Sequence, residues 1–145
     1  MKLRTSLAAA GAAVVLGTTG ALVLPAVASA HSASATLKLI AVTNKSITFG
    51  KSSSVSQETD VNAAGKTIGF DVLYFAAVSP TTANINVTFD LNGGLLYGSA
   101  NSTRSGTVSN GKVTGGTGAF AGATGTLKAK SAGKNREAIT ITYSG

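Results

Sequence analysis

Five carboxyl side chains are the main candidates for chemistry in this sequence of 145 residues: Glu58, Asp60, Asp71, Asp90 and Glu137. Asp71 stands out because it lies within an apolar run, between Phe70 and Val72. Burial at that position would raise the pKa of its carboxyl group and suit it to proton transfer. The alternative is an Asp71 that points to solvent or pairs with a base such as Lys66. Asp71 is therefore the first candidate catalytic residue.

The other polar side chains give weaker indications of a catalytic role. Glu58 and Asp60 belong to a polar stretch, residues 57–62, that we expect to be a solvated loop, and Asp90 falls on the polar face of a strand. Tyr97 is a second candidate catalytic residue, because a strand tyrosine can present its phenol to a cavity, although packing is its commoner role.

Composition excludes several classes of site. The chain has no cysteine and no tryptophan, which removes disulfides, thiol nucleophiles and sugar-stacking indoles. Its single histidine, His31, argues against a Ser-His-Asp triad and a histidine metal site. We therefore expect no metal site. Paired carboxylates for glycoside hydrolysis stay open from spacing alone, but no motif supports them.

The glycine-rich segment 112–122 is similar in composition to a dinucleotide-binding turn, but the pattern fails. Ala121 stands where the last glycine should be, and only 23 residues follow Gly122. A dinucleotide fold needs a helix and further strands after this turn. We interpret the segment as a tight bend between two strands.

The first thirty residues predict a secretory signal peptide. Lys2 and Arg4 precede an uncharged apolar stretch, residues 7–24, and Ala28-Ser29-Ala30 is a small-x-small cleavage site. Ala33-Ser34-Ala35 offers a second site, so cleavage after Ala30 or Ala35 is expected. We thus predict a signal peptide at 1–30 and a single secreted domain at 31–145, with a short flexible start at 31–35. After cleavage we expect no stable membrane insertion.

Alternation with period two recurs along the rest of the chain and predicts an antiparallel all-β domain, a small barrel or a sandwich. The clearest strand covers 84–91, followed by the turn Asn92-Gly93-Gly94 and a returning strand at 95–100. The other predicted strands are 36–43, 46–50, 66–77, 106–109, 112–114, 124–130 and 137–143.

The segment 68–77 departs from this alternation, because large apolar side chains fall on both of its faces. In a one-layer barrel the outward face then needs cover, which predicts a subunit interface. The alternative is a sandwich strand of a monomer that packs under a loop.

Three motifs together resemble a known family. Lys112 to Lys130 looks like the Gly-Gly-x-Gly-x-Phe-x-x-x-x-Gly signature of plant allene oxide cyclases and dirigent proteins. Gly65-Lys66-Thr67-Ile68-Gly69 resembles the Gly-Arg-x-x-Gly of a central dirigent strand, and residues 89–95 resemble the hairpin upstream of the glycine motif. The match is nearest to small secreted bacterial proteins that are allene oxide cyclase barrel-like or dirigent-like.

The resemblance implies an eight-stranded antiparallel β-barrel of calycin type, usually a homo-trimer, whose lumen holds one small ligand. It implies a cofactor-free isomerase or cyclase that guides ring closure or coupling of a small hydrophobic or aromatic metabolite. The candidate ligand contacts are Tyr74, Phe75, Phe89 and Lys66. The first strand, 37–43, lacks the acid of the cyclases, and Lys66 replaces the dirigent arginine. The alternative is therefore a non-catalytic extracellular or cell-envelope binding or structural protein.

The basic residues Lys128, Lys130, Lys134 and Arg136 cluster around one predicted hairpin. Such residues either contact an anionic envelope polymer or protect a sheet edge from aggregation, and we favour protection. Scattered charge without interleaved aromatic residues predicts no nucleic-acid binding.

Overall fold

The computed structural model describes residues 33–103 and 108–145. The strands are β1 (Ala35–Phe49), β2 (Ser53–Val61), β3 (Thr67–Ala77), β4 (Thr82–Leu91), β5 (Gly94–Thr103), β6 (Val108–Gly116), β7 (Thr124–Ser131) and β8 (Arg136–Ser144), with a short 3-10 helix, η1 (Gly118–Phe120), between β6 and β7. The predicted signal peptide at 1–30 and His31 lie outside the described residues. Within the described ranges no helix is long and apolar enough to cross a membrane.

The eight strands form a closed antiparallel barrel in sequence order, which confirms the predicted fold class. Each strand pairs with its neighbours in the chain, and β1 pairs with β8 to close the ring, with Ala35 opposite Tyr143. Because side chains alternate between the faces of a strand, this register determines which residues point into the barrel.

Two predicted strand boundaries are corrected. Segments 36–43 and 46–50 form one strand, β1, because a bulge at Asn44 lets the ladder continue past the irregularity. Likewise residues 108–109 and 112–114 of two predicted strands belong to the single strand β6, and positions 106–107 lie outside the described residues. The polar stretch at 57–62, expected to be a loop, belongs almost entirely to strand β2.

Apolar side chains fill one side of the interior. They come mainly from β4, β5, β7 and β8, and Phe89, Leu96 and Ile141 are fully buried. Phe120 of η1 adds its ring to this core and meets the ring of Tyr143 edge to face at 5.6 Å. The helix therefore packs over the barrel end that holds the β2–β3, β4–β5 and β6–β7 turns.

The glycine-rich segment 112–122 ends β6 and turns through η1 toward β7, which is the bend between two strands that the sequence predicts. The Ala119 amide donates to the Gly93 carbonyl at 2.8 Å, which holds η1 against the β4–β5 turn. A Cβ on Gly118 would collide with the Gly93 carbonyl oxygen, and the φ of Gly118 is +59°. Only glycine meets both conditions at this position.

Candidate acidic site inside the barrel

Four of the five carboxyl side chains of the chain point into the barrel on three strands. Glu58 and Asp60 are two residues apart on β2, Asp71 is opposite Glu58 on β3, and Glu137 lies on β8. Glu137 is opposite Ala41 of β1, and Ala41 is in turn opposite Asp60. The barrel therefore gathers acids that are far apart in the chain, and we call Glu58, Asp60, Asp71 and Glu137 the acidic cluster.

The cluster is deeply buried and poor in hydrogen bonds. Asp60 is 0% exposed, Asp71 1% and Glu58 5%. Thr43 Oγ1 donates to Glu58 Oε1 at 2.7 Å. Among the described residues no donor reaches the second oxygen of Glu58 or either oxygen of Asp60 and Asp71 when these groups are ionised. Unpaired buried carboxylates are costly, so the cluster must retain protons.

Burial is the largest cause of the resulting pKa shifts. It raises the pKa of Asp71 to about 9, helped by the charges of Asp60 and Glu58. It raises the pKa of Asp60 only to about 6, because a hydrogen bond with Asp71 favours ionised Asp60. Burial and the nearby Glu58 also raise the pKa of Glu137. Near neutral pH, Asp71 is therefore the protonated donor of the pair and Asp60 the ionised acceptor.

Half-buried side chains connect the cluster with the barrel end opposite η1. Thr43, Leu73, Phe75 and Ile85 point inward by register at this end, and each is only partly buried. Glu137, also half-buried, lies beside the β7–β8 turn at the same end. These side chains form a mixed polar and apolar mouth above Glu58.

The structure brings only some of the predicted site residues to the interior. Asp71 lies at the centre of the acidic cluster, Phe75 lines the mouth, and Phe89 is fully buried in the core opposite Asp71. Lys66 is exposed in the β2–β3 turn. Lys66 is thus not brought to the cluster.

The two candidate tyrosines point outward. Tyr74 is 42% exposed on the outer face of β3, and Tyr97 follows the inward-facing Leu96 on β5. This register corrects the expectation that either phenol faces the lumen. Each tyrosine occupies the face opposite to the inward-pointing residues of its strand, which include Leu73 on β3 and Leu96 on β5.

Sequence reasoning missed Glu58 and Asp60. The signal was the period-two spacing of Ser54, Ser56, Glu58 and Asp60, which places them on one face of a strand. Polar residues normally mark the solvent face of a strand, so this spacing does not by itself predict a row of side chains that points into a barrel. Within the described ranges no group of three or more acidic or histidine side chains has the arrangement to hold a metal ion.

The outer face of β1 and β3 carries a second feature, an apolar outer patch formed by Ile47, Phe49, Phe70, Val72 and Tyr74. Each of these side chains is between 42% and 53% exposed. The outward half of the two-faced strand predicted at 68–77 is thus uncovered in the single chain.

Comparison with known proteins identifies the fold. No family model matches the chain, and no curated sequence matches it. Its structure is similar to that of pyocyanin demethylase, at 19% identity and a TM-score of 0.67 over 75% of this chain and 99% of the other. The pterocarpan synthase dirigent protein GePTS1 aligns at 17% identity and a TM-score of 0.60, over 79% of this chain and 89% of that protein. The related PsPTS1 aligns at 16% identity and 0.53, over 79% and 94%.

Proposed function

From the premise that this chain has the barrel fold of dirigent proteins, we propose that it binds a small hydrophobic or aromatic metabolite in its barrel. We further propose that it is a secreted, cofactor-free isomerase or cyclase that guides ring closure or coupling. The observation that carries the proposal is the acidic cluster, in which a protonated Asp71 lies beside an ionised Asp60.

An acid and a base with separated pKa values are the requirement for proton-neutral isomerisation. Asp71 donates its proton to an oxygen of the substrate, and Asp60 accepts a proton from the substrate as the ring closes. The net proton count does not change, so no cofactor or external base is consumed. The buried surroundings exclude water from the intermediate and strengthen both hydrogen bonds.

The names of the similar proteins favour a substrate with several fused rings. One of these proteins is called a pyocyanin demethylase and the other two pterocarpan synthases. Pyocyanin and pterocarpans are both compact multi-ring molecules. Phe75 and Leu73 at the mouth provide apolar surface for such rings, and Thr43 and Glu137 provide polar contacts.

A second candidate function is ligand binding without catalysis. The observation that favours it is the near-complete burial of Asp60 and Asp71, which leaves the mouth side chains and Glu58 nearest to an entering molecule. In that case the buried acids serve only to set the polarity of the cavity.

The assembly we propose is a homo-trimer, supported by the apolar outer patch. Contiguous exposed apolar surface of this kind marks an interaction site, and a second copy of the same chain would cover the outward side chains of β3.

The test begins with native mass spectrometry of the protein purified from culture supernatant, which identifies the retained molecule. Turnover of that molecule is then compared in Asp71→Asn, Asp60→Asn and the control Asp90→Asn, whose carboxyl group is exposed on β4. We expect the first two variants to lose about 100-fold or more in rate and the control to lose nothing. Unchanged turnover in Asp71→Asn would overturn the proposed acid, and binding without turnover in the unaltered protein would favour the second candidate function.

A further inference from the structure

The outer face of β4, β5 and β6 carries a polar groove of about 590 Å³. Its outward side chains lie in two rows across the three strands: Asn84, Asn101 and Asn110 in the first, and Asn86, Ser99 and Lys112 in the second. We call this surface the amide groove. Its volume lies in the range of ordinary small-ligand sites, although it is open to solvent along its length.

The fold itself does not require these asparagines. Asparagine is depleted in strands, where β-branched residues are favoured, yet four asparagines occupy positions within β4, β5 and β6. None of the side-chain hydrogen bonds found within 33–103 and 108–145 involves their amide groups. All four side chains are exposed, so their donors and acceptors have no partner among the described side chains and can bind a ligand.

Positive charge borders the amide groove. Lys112 lies within it, and Lys128 of β7 pairs with Asn110, so that the first row continues into a lysine. Four of the five acids of the chain point into the barrel, and Asp90 is the remaining one. The basic side chains of the exterior thus have almost no acidic counterparts, and the surface attracts polyanions.

Protection of a sheet edge does not explain these lysines. The sequence favours that interpretation for the basic cluster of Lys128, Lys130, Lys134 and Arg136. However, β6 and β7, which carry Lys112 and Lys128, are each paired on both sides in the closed barrel, and so is β8. A strand that is paired on both sides offers no edge to protect.

We propose that the amide groove binds an anionic polysaccharide. Each asparagine amide offers both donors and an acceptor, which suits the neighbouring hydroxyl groups of a sugar ring, and the lysines suit its carboxylate groups. The row from Asn84 to Lys128 crosses four strands and extends about 14 Å, long enough for an extended polymer. Tyr97 lies one step of about 7 Å along β5 from Ser99, where its ring can pack against a sugar.

The test measures binding of polygalacturonate to the full secreted chain from a host without N-glycosylation, because Asn86 and Asn101 lie in Asn-x-Thr sequons. Titration calorimetry compares the binding of polygalacturonate with the binding of neutral dextran and of duplex DNA. The buffer contains about 150 mM salt, at which surface charge is largely screened. Of the three polymers, we expect only polygalacturonate to bind tightly. Equal or tighter binding of DNA would overturn the polysaccharide in favour of general polyanion binding.

Two pairs of substitutions separate specific recognition from bulk charge. Asn86→Thr with Asn101→Thr removes two amides while keeping strand propensity, and should weaken binding about tenfold, the loss expected for two hydrogen bonds. Lys112→Gln with Lys128→Gln should weaken it at least as much. The matched control, Lys51→Gln with Lys66→Gln, removes the same charge from the exposed turns on either side of β2 and should change little. Equal losses in both lysine pairs, or none in the asparagine pair, would overturn the proposal.

Discussion

Most buried carboxyl groups in proteins have a basic partner. Asp71, in contrast, is surrounded by other acids. Asp60, Glu58 and Glu137 all raise its pKa, in addition to the effect of burial. The proton that Asp71 retains is therefore part of the folded structure. It provides the hydrogen bond to Asp60 that neither carboxylate makes when both are ionised.

This retained proton makes the stability of the barrel depend on pH. The pKa of Asp71 is about 9 in the folded chain and close to its ordinary value of 3.8 in the unfolded chain. The folded state thus binds more protons between these values, so its free energy of unfolding falls as pH rises. Between pH 6 and 9 we expect a slope of up to about 1.4 kcal/mol per pH unit from Asp71, measured by urea unfolding.

Asp71→Asn is the matching variant, because the amide donates to Asp60 at every pH. We expect its stability to be nearly independent of pH between 6 and 9, while Asp90→Asn keeps the slope of the unaltered protein. A stability that increases with pH in the unaltered protein would show that Asp71 is ionised in the fold.

At the scale of elements, period-two patterns predicted most strands. The acidic cluster could not be predicted in this way, because it depends on the register between strands. Residues 84–91 alternate clearly and form β4 as expected. Strand β2 escaped prediction because its inward residues are serines and acids rather than apolar side chains. The pairing of Glu58 with Asp71 depends on how β2 and β3 align, and no local pattern in the chain records that alignment.

Gly69 of β3 shows how closely the acidic cluster depends on backbone contact. It lies opposite Asp60, and a Cβ there would collide with the Asp90 carbonyl and reach Leu91 Cδ2 at 2.8 Å. We expect Gly69→Ala to lower the free energy of unfolding by about 3 kcal/mol, because β4 has to shift.

The control for this substitution is Gly65→Ala in the neighbouring turn. Its φ is +77°, but nothing lies within 4 Å of the added Cβ, so we expect a cost of only about 1 kcal/mol, from strain alone. The free energy of unfolding of both variants is measured by chemical denaturation. Equal losses in Gly69→Ala and Gly65→Ala would mean that β3 and β4 tolerate the added methyl group.

At the scale of the whole molecule, the apolar outer patch predicts self-association. Val72 is 49% exposed in the single chain, so Val72→Lys should fold normally but place a charge in the proposed interface. We expect native mass spectrometry to show a trimer for the unaltered protein and a monomer for this variant. Thr126→Lys, an equal change on the exposed face of β7, should remain trimeric. A monomeric unaltered protein would refute the interface.

The closure between β1 and β8 also has a consequence for folding kinetics. Seven strand pairings join neighbours in the chain, whereas the eighth brings together residues such as Thr36 and Thr142, which are 106 positions apart. Loop-closure entropy makes this the slowest contact to form. Until it forms, the sheet is an open ribbon with two bare edges. The nascent chain is then most vulnerable to aggregation, and the last pairing ends that exposure.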